Sequence, residues 1–360
     1  MSDGIVTRRN DRHGPVLPEG EPIDTSRFVA GPAGYPPAMT TIGNQVSGLC
    51  LGTNVFGWTA DEETSFALLD AFVGAGGSML DTADSYMAAA EGNSGGESET
   101  VIGNWLAARP GMRDRVVLAT KVGQLPGRQG LGPENVRAAA EDSLRRLRTD
   151  RIDLYYAHVD DEAVPQEDYL AAFDGLVRDG KVREIGASNF SADRLRSALA
   201  VAGGTGGARF TATQPHYNLM ERGYEAEEAL VAEAEGLACF PYFGLAKGFL
   251  TGKYRAGDTA AVDSGVTSGP MARARAEGAR AYLADPRAEK VLVTLDEIAR
   301  ARGVAVPAVA LAWLGAQPTV AAPIASARTT AQLDAVLPAL TLTLEPVELA
   351  ALSDASAPEA

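Results

Sequence analysis

Residues 47–57 read Ser47-Gly48-Leu49-Cys50-Leu51-Gly52-Thr53-Asn54-Val55-Phe56-Gly57, an apolar run followed by a turn. A dinucleotide-binding open sheet places Gly-x-Gly-x-x-Gly between its first strand and first helix, so that phosphate reaches the helix amides. Here Gly52 is followed by no further glycine until Gly57, and the spacing does not fit. The cluster Gly74-Ala75-Gly76-Gly77 precedes an apolar run, so it reads as a helix end and not as a phosphate loop.

Outward from that stretch, short runs rich in β-branched and aliphatic residues recur at 47–53, 78–82, 116–120, 152–158, 183–187, 210–214, 237–242 and 319–324. Six of the spacings between their starts are 27 to 38 residues, the length of one strand-helix unit, and the last is 82. Eight parallel βα units close into a barrel or spread as a doubly wound sheet. Without the glycine loop, the reading is an α/β fold, a (β/α)8 TIM barrel of eight parallel strands with a long insertion between strands seven and eight.

The helical patterns agree with this. Between Pro133 and Arg148, Val136, Ala140, Leu144 and Leu147 share one stripe, while Arg137, Glu141 and Arg145 lie outside it. From Gln166, a second stripe of Leu170, Phe173, Leu176 and Val177 is closed by Gly180 as a left-handed cap. Ser191 caps a helix through Leu195 and Leu199, and Thr59 with Glu62 has the spacing of a capping box.

The chain has 360 residues, 46% of them hydrophobic, enough for a substantial core. Lys and Arg number 32 against 47 Asp and Glu, and a net charge of -15 repels a phosphate backbone, so no nucleic-acid partner is expected. Two cysteines and three histidines are too few for a disulfide framework or a structural zinc site. No long apolar span or hydrophobic signal core is present, and a cytoplasmic protein with no membrane partner is expected. Residues 1–38, rich in Pro and Gly and without apolar periodicity, read as a flexible arm before a single barrel over 39–360.

Chemistry in such a barrel gathers at the carboxyl ends of the strands. Strand two ends in Asp81-Thr82-Ala83-Asp84-Ser85-Tyr86, strand three in Lys121 and strand four in His158. Strand five runs into Ser188-Asn189, strand six into Gln214 and strand seven into Tyr242. Alone, Asp81 reads as a turn residue, Lys121 as a solvated strand end and His158 as a core histidine. Their coincidence at successive strand ends favours a site.

Leu51-Gly52-Thr53, Asp81-Thr82-Ala83-x-x-Tyr86, Gly96-Glu97-Ser98-Glu99, Ala119-Thr120-Lys121, His158, Gly186-Ala187-Ser188-Asn189-Phe190 and Leu250-Thr251-Gly252-Lys253-Tyr254 resemble the aldo-keto reductase superfamily, in order, over about residues 41–353. The resemblance implies a barrel that binds a nicotinamide dinucleotide without a Rossmann motif and reduces a small carbonyl substrate. Asp81, Tyr86, Lys121 and His158 match the catalytic tetrad. Tyr86 is the acid, Lys121 is expected to lower the phenol's pKa from about 10, Asp81 is the counterion of Lys121, and His158 orients the carbonyl or shares the proton. Ser188, Asn189 and Gln214 suit the donor and acceptor edges of the carboxamide, and Tyr242 stacks on the ring. Ser326, Arg328 and Gln332 fall in the segment that holds an adenosine 2'-phosphate, so NADPH (NADP+) is the expected cofactor. Lys253 reaches the pyrophosphate, and Gly52, Thr53 and Leu245 complete the cofactor set. The substrate pocket takes Trp58, Tyr86, His158 and Phe243, with walls from 124–132, Met220 and the excursion 256–285.

Two departures stand out: Phe243-Gly244 replaces the family's usual Ser-Pro, and Ala335-Val336 replaces its usual Glu-Asn. A second reading, a regulatory barrel like the potassium-channel β subunits, calls for a sizeable exposed apolar patch. A glycosidase needs paired acids, for which Asp160 and Asp161 are poorly placed as sequence neighbours. The oligomeric state is left open.

Overall fold

The computed structural model describes residues 42–255 and 270–358; the arm read at 1–38 and residues 256–269 of the expected excursion lie outside the described residues. Its first half alternates β1 (Cys50–Gly52), α1 (Glu62–Gly74), β2 (Met79–Asp81), α2 (Glu97–Ala108), β3 (Val117–Val122), α3 (Pro133–Leu147), β4 (Ile152–Ala157) and α4 (Gln166–Arg178). The second half continues with β5 (Val182–Ser188), α5 (Ala192–Thr205), β6 (Phe210–Gln214), α6 (Glu228–Glu235) and β7 (Ala238–Cys239). Then come α7 (Pro270–Ala281), α8 (Ala288–Arg302), α9 (Val306–Gly315), β8 (Ile324–Ala325), α10 (Thr330–Val336) and α11 (Pro346–Ala355).

The eight strands pair in parallel in the order β7-β6-β5-β4-β3-β2-β1-β8. Closure comes from backbone bonds beyond the regular ladders. Cys239 bridges Val320 in the parallel sense, with Cys239 N donating to Thr319 O at 2.8 Å and Ala321 N donating to Cys239 O at 2.9 Å. The expected runs at 237–242 and 319–324 therefore do face each other, although their regular ladder portions are only two residues long. The insertion between strands seven and eight holds α7, α8 and α9.

Side-chain alternation along each strand divides the core in two. Cys50, Met79, Val117, Ala119, Leu154, Tyr156, Ala212 and Phe240 fill the barrel's interior, while Leu80, Leu118, Tyr155 and Ile185 face the helices. Gly186 sits in register with Tyr156, and a Cβ there would stand 2.5 Å from the Tyr156 ring, so the small residue makes room for the large one. Ile42 plugs the interior at the amino end of the strands, its amide donating to Glu184 Oε1 at 3.0 Å. Burial pushes the Glu184 carboxyl up to about 7.

The helix faces fall where the apolar spacing placed them: Val136, Ala140, Leu144 and Leu147 of α3 are buried. Gly180, at φ +72°, follows the end of α4, and the Ser191 hydroxyl accepts from Arg194 N at the start of α5. The capping box at Thr59 and Glu62 does not form. Asp61 caps α1 by accepting from Thr64 N at 2.9 Å, a carboxylate two positions nearer the helix, while the Thr59 hydroxyl is buried without a partner among the described residues. No single helix among the described residues is long and apolar enough to cross a membrane.

Candidate active site

Asp81 and Lys121 reach the site because they continue the inward-facing series of their strands, Met79 then Asp81 in β2, and Val117, Ala119 then Lys121 in β3. Both are buried, with side-chain exposures of 1% and 0%. Lys121 Nζ spends its three hydrogens on Asp81 Oδ2 at 2.6 Å, Tyr86 Oη at 2.6 Å and Thr82 O at 2.8 Å. Asp81 Oδ2 also accepts from Tyr86 Oη at 2.8 Å, and Oδ1 accepts from Gln214 Nε2 at 2.9 Å. A buried ammonium and carboxylate are tolerated because each is paired and hydrogen-bonded.

The expected direction for Tyr86 is reversed. Burial first, and then the Asp81 carboxylate, hold its phenol well above the usual value near 10, while burial lowers the Lys121 ammonium against the opposing pull of Asp81. The phenol is thus fully protonated at neutral pH, the form a proton donor needs. The His158 ring lies 6.1 Å from that of Tyr86, centroid to centroid, and its Nδ1 is 3.4 Å from Ser85 Oγ. Burial and the Lys121 charge hold its pKa well below 6.5, so the ring is neutral. Behind Tyr86, burial and the neighbouring Glu99 raise buried Asp84 to about 7.

Asp81, Tyr86, His158 and Gln214 line one cavity of about 920 Å³, within the range of small-molecule sites, while Lys121 lies behind them and does not line it. Gly52, Ser188, Asn189, Gln214, Tyr242, Leu245, Lys253, Ser326, Arg328 and Gln332 line it, as do Trp58, Tyr86, His158 and Phe243. Thr53 does not: its hydroxyl is buried, donating to Asp81 O at 2.9 Å and bonded to Ser98 Oγ at 2.7 Å. It braces the turn behind Asp81. Met220 likewise packs away from the cavity, whereas Gln124 reaches it.

Ser188 Oγ donates to Gln214 O at 2.9 Å, and Asn189 Nδ2 donates to His158 O at 2.9 Å. Tyr242 Oη donates to Asn189 Oδ1 at 2.8 Å, and the opposite support of its ring is His216, stacked at 5.3 Å and 14°. The helix cap next to these residues is Ser191, so Ser188 and Asn189 are spared that duty. Further along, Lys247, Lys253 and Arg328 share the cavity, and none pairs with a carboxylate among the described residues. Burial and Arg328 lower the Lys253 pKa, so the two cations lie close enough to repel. Such a cluster fits phosphate. Sequence reading missed Lys247, which adopts φ +58° beside Gly248 at φ +100°, a backbone form that spacing alone does not reveal.

The acids Asp160 and Asp161 are committed elsewhere. Asp160 accepts both Nε and Nη2 of Arg194 at 2.5 and 2.9 Å, and Asp161 Oδ2 accepts from Leu131 N at 2.8 Å. The large exposed apolar residues among those described, Leu230, Phe243, Val293 and Val347, lie in three different helices and the loop after β7.

Comparison with known proteins agrees with this geometry. The sequence profile of the aldo/keto reductase family matches residues 48–357. The chain is 34% identical to the uncharacterized oxidoreductase YrpG of Bacillus subtilis, over 87% of this chain and 93% of that protein. It is 33% identical to the norsolorinic acid reductase stcV of Emericella nidulans, over 91% and 84%. Human aflatoxin B1 aldehyde reductase member 4 is 36% identical over 57% of this chain and 60% of its own. With a barrel of eight parallel strands and a profile match over most of its length, this chain belongs to the aldo/keto reductase family.

Proposed function

We propose that this oxidoreductase reduces an aldehyde or ketone with NADPH, Tyr86 giving the proton. The reading is carried by the short triangle of Tyr86 Oη, Lys121 Nζ and Asp81 Oδ2, beside a cavity that also takes in Lys247, Lys253 and Arg328, none of them paired with a carboxylate among the described residues. A reduced nicotinamide in that cavity supplies hydride to the carbonyl carbon. Negative charge then grows on the carbonyl oxygen, and a positioned acid lowers that barrier. Tyr86 Oη turns its hydrogen from Asp81 toward that oxygen, and the Lys121 ammonium stabilises the phenolate left behind. Neutral His158 donates a hydrogen bond that aims the carbonyl. Ser188, Asn189 and Gln214 are the carboxamide partners, and Tyr242 backed by His216 is the stacking face.

Arg328, with Ser326 and Gln332 beside it, is the anchor for a 2'-phosphate. Arg328→Ala is expected to raise the NADPH dissociation constant about ten- to a hundredfold while changing NADH little, because only the former carries that phosphate. Equal weakening of the two in fluorescence titration removes Arg328 from the role.

Substrate class follows from the walls at the tetrad end. Trp58 and the exposed ring of Phe243 offer flat apolar contact, matching an aromatic or otherwise planar carbonyl compound. The names of the norsolorinic acid and aflatoxin B1 aldehyde reductases point the same way. A panel of aromatic aldehydes, aliphatic aldehydes and keto-sugars tests this: kcat/KM is expected to be highest for the aromatic members, and a preference for keto-sugars contradicts it.

The protonation states make a pH prediction. Tyr86, raised, keeps its proton well past neutrality, and His158, lowered, stays neutral down to acid pH. Asp84, raised to about 7, is then the group nearby that ionises near neutrality. In Asp84→Asn the reduction rate should be flat from about pH 6.5 to 9. An inflection near neutrality that survives in this variant puts His158 in the proton path.

A further inference from the structure

The ring of Tyr242 is held from behind. His216 lies flat against it, 5.3 Å away at 14°, and the Phe243 ring meets the two edge-on at 5.2 and 5.4 Å. His216 and Asn218 are not among the described residues that line the cavity. Asn218 Oδ1 accepts from Met220 N at 2.8 Å and from Glu221 N at 3.1 Å, which fixes the orientation of its amide. Its Nδ2 therefore donates to Phe243 O at 3.0 Å and faces His216 Nε2 at 3.4 Å. An N–H directed at Nε2 makes that nitrogen the acceptor and puts the hydrogen of a neutral imidazole on Nδ1. Burial, with a smaller push from Lys247, lowers the His216 pKa against the opposing pull of Glu221, which agrees with the neutral form.

The hydroxyl of the same tyrosine reaches His158 through one residue. Tyr242 Oη donates to Asn189 Oδ1 at 2.8 Å, and Asn189 Nδ2 donates onward to His158 O at 2.9 Å and to Ser188 Oγ at 3.1 Å. His158 N donates to Val122 O at 2.9 Å, so Asn189 supplies the second backbone anchor of His158. The polar contact of the ring itself, Nδ1 to Ser85 Oγ, is long at 3.4 Å. The aim of the imidazole thus depends on where its backbone is held. Asn189 at φ +57° and Phe243 at φ +53° both sit in the left-handed region. Asparagine tolerates that form, but a bulky ring adopts it at a cost, which the Asn218 bond to Phe243 O offsets.

We infer that His216 and the Tyr242 hydroxyl are positioning groups for His158: His216 fixes the plane of Tyr242, Tyr242 Oη fixes Asn189, and Asn189 fixes the His158 backbone. The consequence for the reaction rests on the proposed function, in which His158 aims the carbonyl; the coupling itself does not. A phenylalanine at 242 would keep the cavity wall and lose the aim.

The test uses the full chain with isotope-labelled histidine, whose three residues, His13, His158 and His216, give few ring signals in NMR. Tyr242→Phe keeps the ring and its stack on His216, so a change at His158 reports the lost hydroxyl and not a lost ring. The His158 signals are expected to move, with kcat for carbonyl reduction falling about three- to tenfold, the worth of one hydrogen bond, and the NADPH dissociation constant staying within about twofold. His216→Ala frees the Tyr242 ring and is expected to repeat both changes. His216→Phe restores a flat ring and should bring kcat back to within about twofold of the parent. Unmoved His158 signals in Tyr242→Phe overturn the inference, as does a folded His216→Ala protein with the parent's kcat. Should His216→Ala fail to fold, Tyr242→Phe decides alone. If the chain reduces no carbonyl compound, moved His158 signals still support the coupling, and the functional reading falls by itself.

Discussion

Tyr86→Phe should lower kcat for carbonyl reduction by about 10²–10⁴-fold while leaving the NADPH dissociation constant within about twofold. The substitution removes one oxygen and keeps the ring, which packs edge-on to His158 and under the Lys121 ammonium, 4.6 Å from its centroid. Binding of the dinucleotide depends on other residues of the cavity, so the loss belongs to the proton transfer. The alternative donor, His158, lacks the charge: burial and Lys121 keep it neutral. Pre-steady-state hydride transfer, compared between the two proteins, checks this. A variant that keeps near wild-type turnover moves the acid elsewhere.

The second large effect concerns Lys121. Lys121→Met leaves the Asp81 carboxylate buried with Gln214 as its remaining side-chain donor apart from Tyr86. Breaking one partner of a buried pair costs about 3–5 kcal/mol, and removal of both is often close to neutral. The single variant should therefore lose stability in thermal or denaturant unfolding by that amount, and its reductase activity should collapse because the phenolate has no counterion. Asp81→Asn combined with Lys121→Met should recover most of the stability and none of the activity. That split separates charge balance from catalysis. A single variant as stable as the parent shows that the pair is not the buried, mutually dependent unit its geometry indicates.

The strand ends were legible because their chemistry is local in sequence. Asp81, Lys121 and His158 each close an apolar run, and alternation along a buried strand decides which way each points. Helices α3, α4 and α5 were legible for a similar reason, a stripe at helical spacing with a readable cap. What escaped was set by contacts distant in the chain. Thr53 looks like a pocket residue beside Gly52, yet Asp81 O and Ser98 draw its hydroxyl away. Thr59 has the spacing of a cap, but Asp61 lies closer to the helix amides and wins them. The rise in the Tyr86 pKa could not be read from having Lys121 nearby, because burial dominates it and the Asp81 oxygen that accepts the phenol's hydrogen, 2.8 Å away, adds to it. Lys247 and the apolar wall at 305–307 enter the cavity from the long insertion, whose path no periodicity predicts.

Hydride passing from NADPH to a carbonyl carbon beside Asp81 and Tyr86, as proposed, would leave its mark on the alcohol product. It is tested most directly with NADPH carrying deuterium on the transferring carbon and an aromatic aldehyde, the alcohol product being analysed by mass spectrometry. The expected alcohol carries one deuterium on the former carbonyl carbon, formed by the wild-type protein and almost abolished in Tyr86→Phe. Alcohol formed without deuterium, or no transfer to any aldehyde or ketone in the panel from either face of the nicotinamide, contradicts it.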